Sequence, residues 1–264
     1  MSRSVPLKTS VDVLRLRRPA AVLESLFRQL ERIIRPGMST LQLDGICKRL
    51  LEQNSEVRQI GYPTFPGSVC TSVNNVAAHG VPGNYVLESG DMITVDATID
   101  IQGWKGDAAW TYVVGTPDAD QMRLLRAGWR ATFAGIGACH TGARMGDIGY
   151  AIREAARKMG CTVITDFTGH GIGRELHENP AVPNSGEPGT GEPIVPGMVL
   201  NIEPVVTLGS GEVVKLSDNW SYVTRDGANA AQYEHTVAVF RDRVELLTFS
   251  RTGRDLTVDL PPYY

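Results

Sequence analysis

Apolar side chains recur every three or four positions in four stretches of the chain, which is the pattern of a helix with one buried face. In the first stretch the apolar stripe runs from Val22 to Ile34, and the following Pro36-Gly37 indicates where the helix ends. Ser39 or Thr40 then supplies the side-chain oxygen that caps a second helix. The pattern predicts helices over residues 21–34, 40–51, 119–137 and 147–159, the last closed by Gly160.

Strand patterns follow each pair of helices. In DMITVDATID (91–100) apolar residues alternate with Thr and Asp, which predicts a strand buried on one face. A turn at IQG and a return strand in AAWTYVVG (108–115) complete a hairpin. Beyond a Gly- and Pro-rich loop at 184–197, the segments MVLNIEP (198–204) and AQYEHTVAVF (231–240) predict two more strands, of which the second is the last clear one.

The order of two helices followed by strands occurs twice, and PGMSTLQLDGI in the first round is faintly echoed by TGARMGDIGYAI in the second. This order indicates an α+β fold of two related halves around a shared sheet. We predict one domain over residues 1–264, with pseudo-repeat halves at about 12–117 and 118–250, an N-terminal extension at 1–11 and a C-terminal tail at 251–264.

Composition and charge exclude several classes of protein. With 264 residues, 42% hydrophobic and 21% charged, the chain has the composition of an ordinary globular protein. Its net charge of −3 offers no basic surface for nucleic acid, and its apolar runs are too short for a membrane helix. The N-terminus lacks the apolar core of a secretory signal, and the four cysteines are far apart. We therefore expect a cytoplasmic protein with reduced thiols.

Four carboxylates lie in or beside the predicted strands. If the hairpin turns near Asp100–Gly103, then Asp96 and Asp107 lie roughly opposite each other. Glu203 and Glu234 lie in segments whose other positions are mostly apolar. A buried charge is costly unless it is paired or bound to a metal, so this set favours a metal site over four separate surface acids.

The segment TGHGIGRELHENP supplies two of the five histidines, His170 and His177. The neutral imidazole of His170 and the four carboxylates together form a ligand set whose charge two divalent cations would balance. Mixed carboxylate and imidazole ligands suit Mn, Fe, Co or Zn. Two such ions about 3.5–4 Å apart occur in phosphatases, nucleases and aminopeptidases, and the residues by themselves leave these classes open.

Five motifs together resemble type I methionine aminopeptidases of the bacterial type, in the same order and spacing. The resemblance implies the pita-bread fold, with two pseudo-symmetric halves and a central, mostly antiparallel sheet covered by helices, as a single catalytic domain. The motifs are GYPTFPGSVCTSVNNVAAHGVPG (61–83), VDATIDIQGWKGDAAWTYVVG (95–115), TGHGIGRELHENPAVPN (168–184), PGMVLNIEP (196–204) and AQYEHTVAV (231–239).

The resemblance also implies the ligands of two divalent metal ions, which would be Co, Mn, Fe(II) or Zn. Asp96 matches the bidentate ligand of one ion, and Asp107 and Glu234 match carboxylates that bridge both ions. His170 and Glu203 match the remaining ligands of the other ion.

Two further histidines match residues that contact the substrate. His79 corresponds to a histidine that reaches the scissile amide nitrogen, and His177 to one that stabilises the oxyanion. The resemblance further implies that Glu203 takes the proton of a metal-bridging water that attacks the first peptide carbonyl. The methionine side chain would be bound by Tyr62, Phe65, Cys70 and Trp220.

The implied function is removal of the initiator methionine from nascent chains with a small second residue. The expected enzyme is a cytoplasmic monomer without specific nucleic-acid or membrane partners. The arginines near residues 15–18 favour a solvated helix start over a transient ribosome contact, which stays open. An X-Pro aminopeptidase or dipeptidase of the same fold, and a non-catalytic pita-bread binding module, are the alternatives.

Four positions fall outside this picture or depart from it. Leu176 stands where many bacterial relatives carry an aromatic residue, and Trp110 replaces a small polar residue. His235 is expected to be a structural, hydrogen-bonded histidine, and His140 to lie at a helix C-terminus.

Overall fold

The computed structural model describes residues 4–248, so the predicted C-terminal tail at 251–264 lies outside the described residues. All four predicted helices are present, and the fold class is α+β, as predicted. They are α1 (Ser10–Ile33), α2 (Thr40–Glu52), α3 (Ala119–Ala138) and α4 (Met145–Lys158). Among these helices none combines the length and apolar character that crossing a bilayer requires.

Helix α1 begins eleven residues earlier than the apolar stripe predicts, at Ser10 rather than at residue 21. Thr9 caps it through a reciprocal pair of hydrogen bonds with Asp12. Pro19 lies inside the helix and, with the adjacent arginines, obscures the pattern in the sequence. Ser39 caps α2, which settles the choice between Ser39 and Thr40.

Residues 4–248 contain fifteen strands, which form four antiparallel sheets in the orders β1-β4-β2 with β5 on β4, β13-β10-β6, β11-β12-β3 and β15-β14-β9-β7-β8. In chain order the strands are Val57–Ile60, Cys70–Val73, Val76–Ala78, Met92–Ile101, Trp104–Val113, Thr162–Val163, Thr168–Gly171, Glu178–Pro183, Val199–Ile202, Val205–Thr207, Val213–Lys215, Tyr222–Thr224, Ala230–Gln232, His235–Val239 and Val244–Leu246.

The β4–β5 hairpin has the predicted position. It turns at Gln102-Gly103, both with positive φ (54° and 76°), as a tight hairpin turn requires. Asp96 pairs with Ala109, and Asp107 pairs with Thr98. The two aspartates therefore lie roughly opposite each other, as expected, but they do not form a direct cross-strand pair. They are diagonal neighbours on one face of the ladder, still within reach of a shared ligand.

Strand β4 is buried more completely than the alternation predicts. Thr94 and Asp100, on the side expected to be polar, are 3% and 8% exposed. Thr94 and Thr111 share a hydrogen bond of 2.8 Å, and the Asp100 carboxylate receives Lys105 at 2.8 Å. Polar side chains can occupy the second buried face because they find partners there.

The prediction of one continuous strand over residues 231–240 is wrong, because the structure has two strands there. Strand β13 ends at Gln232 and β14 begins at His235, in a different sheet. The segment holding Glu203 is interrupted in the same way between β9 and β10. Neither glutamate lies inside a strand, and β15 follows β14, which is therefore not the last strand.

Candidate active site

A cavity of about 750 Å³ opens between the sheets, and every site residue expected from the sequence lines it. The structure thus brings together residues from eight separate segments of the chain. They are Tyr62, Phe65, Cys70, His79, Asp96, Asp107, His170, His177, Glu203, Trp220 and Glu234.

The first two carboxylates project from the β4–β5 hairpin. Asp107 is 6% exposed and accepts a hydrogen bond from the Thr98 hydroxyl at 3.0 Å. On the other side of β4, Cys70 pairs with Asp96. Continuous backbone pairing on both sides of β4 therefore fixes where these acids lie.

The other two carboxylates project from breaks in two neighbouring strands. Ile202 pairs with His235, and Val205 pairs with Gln232, so the two interruptions face each other. Pro204 has no N–H to donate, which explains why the ladder stops there. The backbone N–H of Glu234 instead donates to Ala109 O at 3.0 Å, which joins this break to the hairpin.

Side-chain amides hold the two glutamates at these breaks. Asn201 donates to Glu234 Oε1 at 2.8 Å, and Gln232 donates to Glu203 Oε2 at 3.4 Å. Thr236 in turn donates to Asn201 Oδ1 at 2.8 Å. These amides take over the positioning that the interrupted backbone ladder cannot provide.

His170 lies on β7, with its ring aimed at the carboxylates. Its Nδ1 lies 3.0 Å from Gly171 O, a carbonyl that can only accept, which assigns the ring proton to Nδ1. Nε2 then presents its lone pair 3.3 Å from Glu203 Oε1 and 3.7 Å from Asp107 Oδ2. This tautomer, held by a backbone carbonyl, is the one that a metal-ligating histidine adopts.

A glycine allows this strand to approach β9. A Cβ at Gly169 would lie 2.2 Å from Asn201 O. Only a residue without a side chain fits there, which accounts for one glycine of the TGHGIG segment.

Burial and mutual repulsion disfavour the ionised forms of the four acids. Burial raises the pKa of Asp96 to about 7. Burial, together with the neighbouring carboxylates, raises the pKa values of Asp107, Glu203 and Glu234 well above their usual range. Burial likewise lowers the pKa of His170 to about 4, which keeps its imidazole neutral near pH 7.

The donor set fits divalent metal ions. No Lys or Arg of residues 4–248 forms an ion pair with any of the four acids. Glu203 Oε1 is buried without a hydrogen-bond partner in that part of the chain. One ligand atom each from Asp107, His170 and Glu234 lies within 4.8 Å of the other two. Such a cluster needs a cation to neutralise it.

His79 and His177 lie on the cavity wall beside this cluster. The His177 ring is 4.4 Å from that of His170, and the His79 ring packs edge-on against Phe167 at 5.9 Å and Tyr222 at 6.0 Å. His79 has φ 54°, an uncommon conformation for a residue with a side chain. Burial lowers the pKa of both His79 and His177, so each ring is neutral near pH 7.

Aromatic rings form the remaining wall. The Trp220 ring lies 5.2 Å from Phe65 and 6.1 Å from Tyr62, both edge-on. Cys70 lines the same space. Rings and a thiol make a surface suited to a thioether side chain.

The two departures lie in different environments. Leu176 lines the cavity next to His177, whereas Trp110 is 2% exposed and packs edge-on against Trp129 and Tyr233. His235 is also buried in this aromatic cluster and hydrogen-bonds Thr248 at 2.9 Å, so the expectation of a structural histidine is confirmed. His140 follows the C-terminus of α3, as expected.

Sequence reasoning missed the residues that orient the acids. Thr98, Asn201, Gln232 and Thr236 hydrogen-bond the carboxylates or one another. One signal was available, because Asn201 and Gln232 each lie two positions before a glutamate, a spacing that puts both side chains on one face of the strands predicted from the sequence.

Comparison with known proteins places the chain in a family. The model of metallopeptidase family M24 matches residues 15–240, so the chain belongs to this family of metal-dependent hydrolases. It is 37% identical over 242 residues to methionine aminopeptidase 1 from Bacillus subtilis, covering 91% of this chain and 98% of that protein. A crystal structure of methionine aminopeptidase from Rickettsia prowazekii matches with a TM-score of 0.90 at 33% identity, covering 93% of this chain and 100% of the other.

The resemblance inferred from the five motifs and the pita-bread fold are thereby confirmed. A more distant match is an Xaa-Pro dipeptidase from Bacillus anthracis, with a TM-score of 0.74 at 20% identity. That likeness shows the shared fold alone, and this chain covers 63% of the dipeptidase.

Proposed function

We propose that this protein removes the N-terminal methionine from nascent polypeptides whose second residue is small. One observation carries the proposal: a cluster of candidate metal ligands and an aromatic, thiol-bearing pocket share one cavity, which His79 and His177 also line. An apolar pocket beside the reacting centre selects the first side chain, while the cluster acts on the adjacent peptide bond.

We assign the metal-ligand role to Asp96, Asp107, His170, Glu203 and Glu234, which would hold two divalent ions. Bound ions of this kind polarise a carbonyl and lower the pKa of water. Their identity among Co, Mn, Fe(II) and Zn depends on cellular availability as well as on these ligands.

The chain's own groups divide the remaining work. Glu203 has an oxygen without a hydrogen-bond partner in the described part of the chain and a raised pKa, which suits it to take and return a proton. Neutral His177 keeps one N–H with which to stabilise the developing oxyanion. His79, which lines the same cavity, contacts the amide nitrogen, and the methionine side chain is held away from water by Tyr62, Phe65, Cys70 and Trp220.

The proposal includes the setting in which the enzyme works. It acts as a monomer in the cytoplasm, on chain ends that leave the ribosome. A transient contact through Arg15, Arg17 and Arg18 is compatible with their exposed positions on α1, although Arg17 and Arg18 also form ion pairs with Glu245 and Glu56.

Peptide hydrolysis tests the proposal directly. Protein loaded with Mn or Co should release methionine from Met-Ala-Ser, and a chelator should stop the release until metal is restored. Ala-Pro-Ser should be cleaved far more slowly. Absence of methionine release with either metal would contradict the proposal, and preference for Ala-Pro-Ser would favour the X-Pro alternative.

A further inference from the structure

A buried ion pair joins the N-terminal segment to the residue that follows His177. Lys8 Nζ donates to Glu178 Oε2, and the two side chains are only 6% and 7% exposed. Lys8 Nζ also donates to Pro6 O at 2.8 Å. Removing two charges from water is unfavourable unless each is fully partnered, so an ion pair buried this completely must be held in a fixed geometry.

The second oxygen of Glu178 binds the chain segment just before it. Oε1 accepts from the backbone N–H groups of Arg174 at 2.9 Å and Glu175 at 3.2 Å. The Glu178 carboxylate thus links the start of the turn, at Arg174 and Glu175, to its end at residue 178, with His177 just before that end. Packing is close there, since a Cβ at Gly173 would lie 2.5 Å from Lys8 Cε and 2.7 Å from Glu178 Oε1.

Lys8 itself is attached to the five-stranded sheet. Its backbone N–H donates to Gly197 O at 2.7 Å, and Gly197 N–H donates to Val239 O at 2.9 Å, at the end of β14. The cation is therefore held by the same sheet that carries His170. An anchor fixed to this sheet keeps the position of residue 178 constant relative to the metal-ligand cluster.

The connection over residues 172–177 has few other attachments near His177. Its early part is held, because Ile172 N–H donates to Val199 O at 3.0 Å and Lys105 N–H donates to Gly173 O at 2.9 Å. Near its end, the His177 ring contacts His170 at 4.4 Å and Tyr62 at 6.2 Å. Glu178 is the next residue and begins β8, where it pairs with Gly171 of β7, so this pairing and the contacts of the Glu178 carboxylate together set where the His177 backbone lies.

We propose that Lys8 is a positioning residue which, through the Glu178 carboxylate, places His177 against the substrate carbonyl. Without the lysine, the buried Glu178 carboxylate loses its cation and moves towards water. That movement weakens its two backbone hydrogen bonds and releases the turn that carries His177. The expected effect of Lys8 on kcat rests on the proposed function. The claim that Lys8 sets the position of His177 rests on the geometry alone.

The kinetic test uses Lys8→Met, with Lys8→Arg as the conservative variant and Lys48→Met as the control. Lys48 pairs with Glu52 on the exposed surface of α2, with both side chains more than half exposed. We expect Lys8→Met to lower kcat for Met-Ala-Ser by about 10- to 100-fold, the effect of misplacing a reacting group by about 1 Å. KM and Mn affinity measured by calorimetry should stay within about twofold, because the pocket and the metal ligands are untouched.

A double-mutant cycle shows whether the effect passes through His177. In a His177→Ala background, Lys8→Met should lower kcat no further. With His177 intact, the kcat of Lys8→Arg should be closer to the wild-type value than the kcat of Lys8→Met is. An equal loss in both backgrounds would overturn the proposal, as would a loss of Mn affinity that matches the loss of kcat.

An NMR measurement tests the same contact without relying on activity. The His177 imidazole signal can be assigned by its loss in His177→Ala, and it should shift or broaden in Lys8→Met while the His235 signal stays in place. An unchanged His177 signal would refute the positioning role. If Lys8→Met fails to fold, Glu178→Gln removes the charge pairing with little change of shape and should shift the same signal. If the wild-type protein releases no methionine but the His177 signal is still displaced in Lys8→Met, the proposed function is refuted and the contact between Lys8, Glu178 and His177 is not.

Discussion

Two regions supply the carboxylates of the site, and they hold them in different ways. Asp96 and Asp107 project from the continuous β4–β5 ladder, whereas Glu203 and Glu234 project from facing breaks between β9 and β10 and between β13 and β14. In the hairpin, backbone pairing sets the position of each acid, with β2 and β5 on the two sides of Asp96 and with β4 beside Asp107. At the breaks, Asn201 and Gln232 do so through side-chain amides.

The difference shows two solutions to one problem. Four buried acids that face one cavity repel each other in their ionised forms, and within residues 4–248 no Lys or Arg forms an ion pair with them, so each must be held in place in metal-free protein. A continuous ladder resists displacement cooperatively, but it places side chains at intervals fixed by the pleat. A break frees the chain to aim a carboxylate inwards, and then a separate hydrogen bond must hold it there.

The largest expected effect is on catalytic rate, and it shows whether the acids of both regions are needed for methionine release. Asp107→Asn in the hairpin and Glu234→Gln at the break should each lower methionine release by about 10³-fold or more, because metal ions contribute several kcal/mol to such reactions. The rate of methionine release from Met-Ala-Ser, measured with saturating Mn, would show the loss.

The matched control for these variants is Asp91→Asn, a buried carboxylate bonded to Asn74 and Tyr85 away from the cavity. It should keep the rate per folded molecule. Full activity in either Asp107→Asn or Glu234→Gln would show that one region is dispensable.

A second, smaller effect separates metal binding from substrate binding. His177→Ala should lower kcat by about 10²- to 10³-fold, the loss typical of removing one oxyanion donor, with Mn affinity unchanged. His170→Ala should lower both turnover and Mn affinity. Calorimetric titration beside the kinetics would measure each, with exposed His140→Ala as control. Equal loss of metal in both variants would show that the two roles are wrongly divided.

A third effect concerns the burial of Asp96 in metal-free protein. The raised pKa of Asp96 means that the folded state holds this proton more tightly than the unfolded chain, whose pKa is 3.8. The stability that the protonated acid contributes is complete below about pH 4 and is lost as pH rises towards 7. Metal-free Asp96→Asn should match the wild type in Tm near pH 4.5 and exceed it by about 5–10 °C near pH 7.5.

Calorimetric scans at both pH values after complete chelation would measure this difference in Tm. Asp120→Asn is the control, since its side chain is 71% exposed on α3 and it should give the same difference at both pH values. A wild type more stable than Asp96→Asn at pH 7.5 without metal would contradict the raised pKa of Asp96.

The smallest effect tests the comparison most directly. Asn201→Leu should weaken Mn binding by about 10- to 100-fold, the usual effect of removing a hydrogen-bond partner of a metal ligand. Thr98→Val removes the corresponding bond to Asp107, but the hairpin register still places that carboxylate, so the loss should stay below about 10-fold. Mn titrations of both variants decide the matter, and equal losses would mean that the ladder and the amides contribute alike.

Much of the fold could be read from the spacing of apolar residues. The four helices, the hairpin and the loop at 184–197 follow from local patterns, because helices and hairpins are made of contacts between near neighbours in the chain. The early start of α1 was missed because its arginines and Pro19 interrupt the apolar stripe, and only packing of Val13 and Leu16 into the core shows that these turns are helical. The division into halves at about 12–117 and 118–250 stays a prediction.

By itself, the sequence determined which residues were available to the site and the class of protein they indicate. Five motifs and a charge count led to four acids and His170 spread over 139 positions. The tertiary structure alone decided that Asp96 and Asp107 are diagonal, that Glu203 and Glu234 face each other across a broken ladder, and that Lys8 reaches Glu178. Strand register, breaks and long-range ion pairs depend on which distant segments pack together, and the free energy of that packing is a property of the whole fold rather than of any local run of residues.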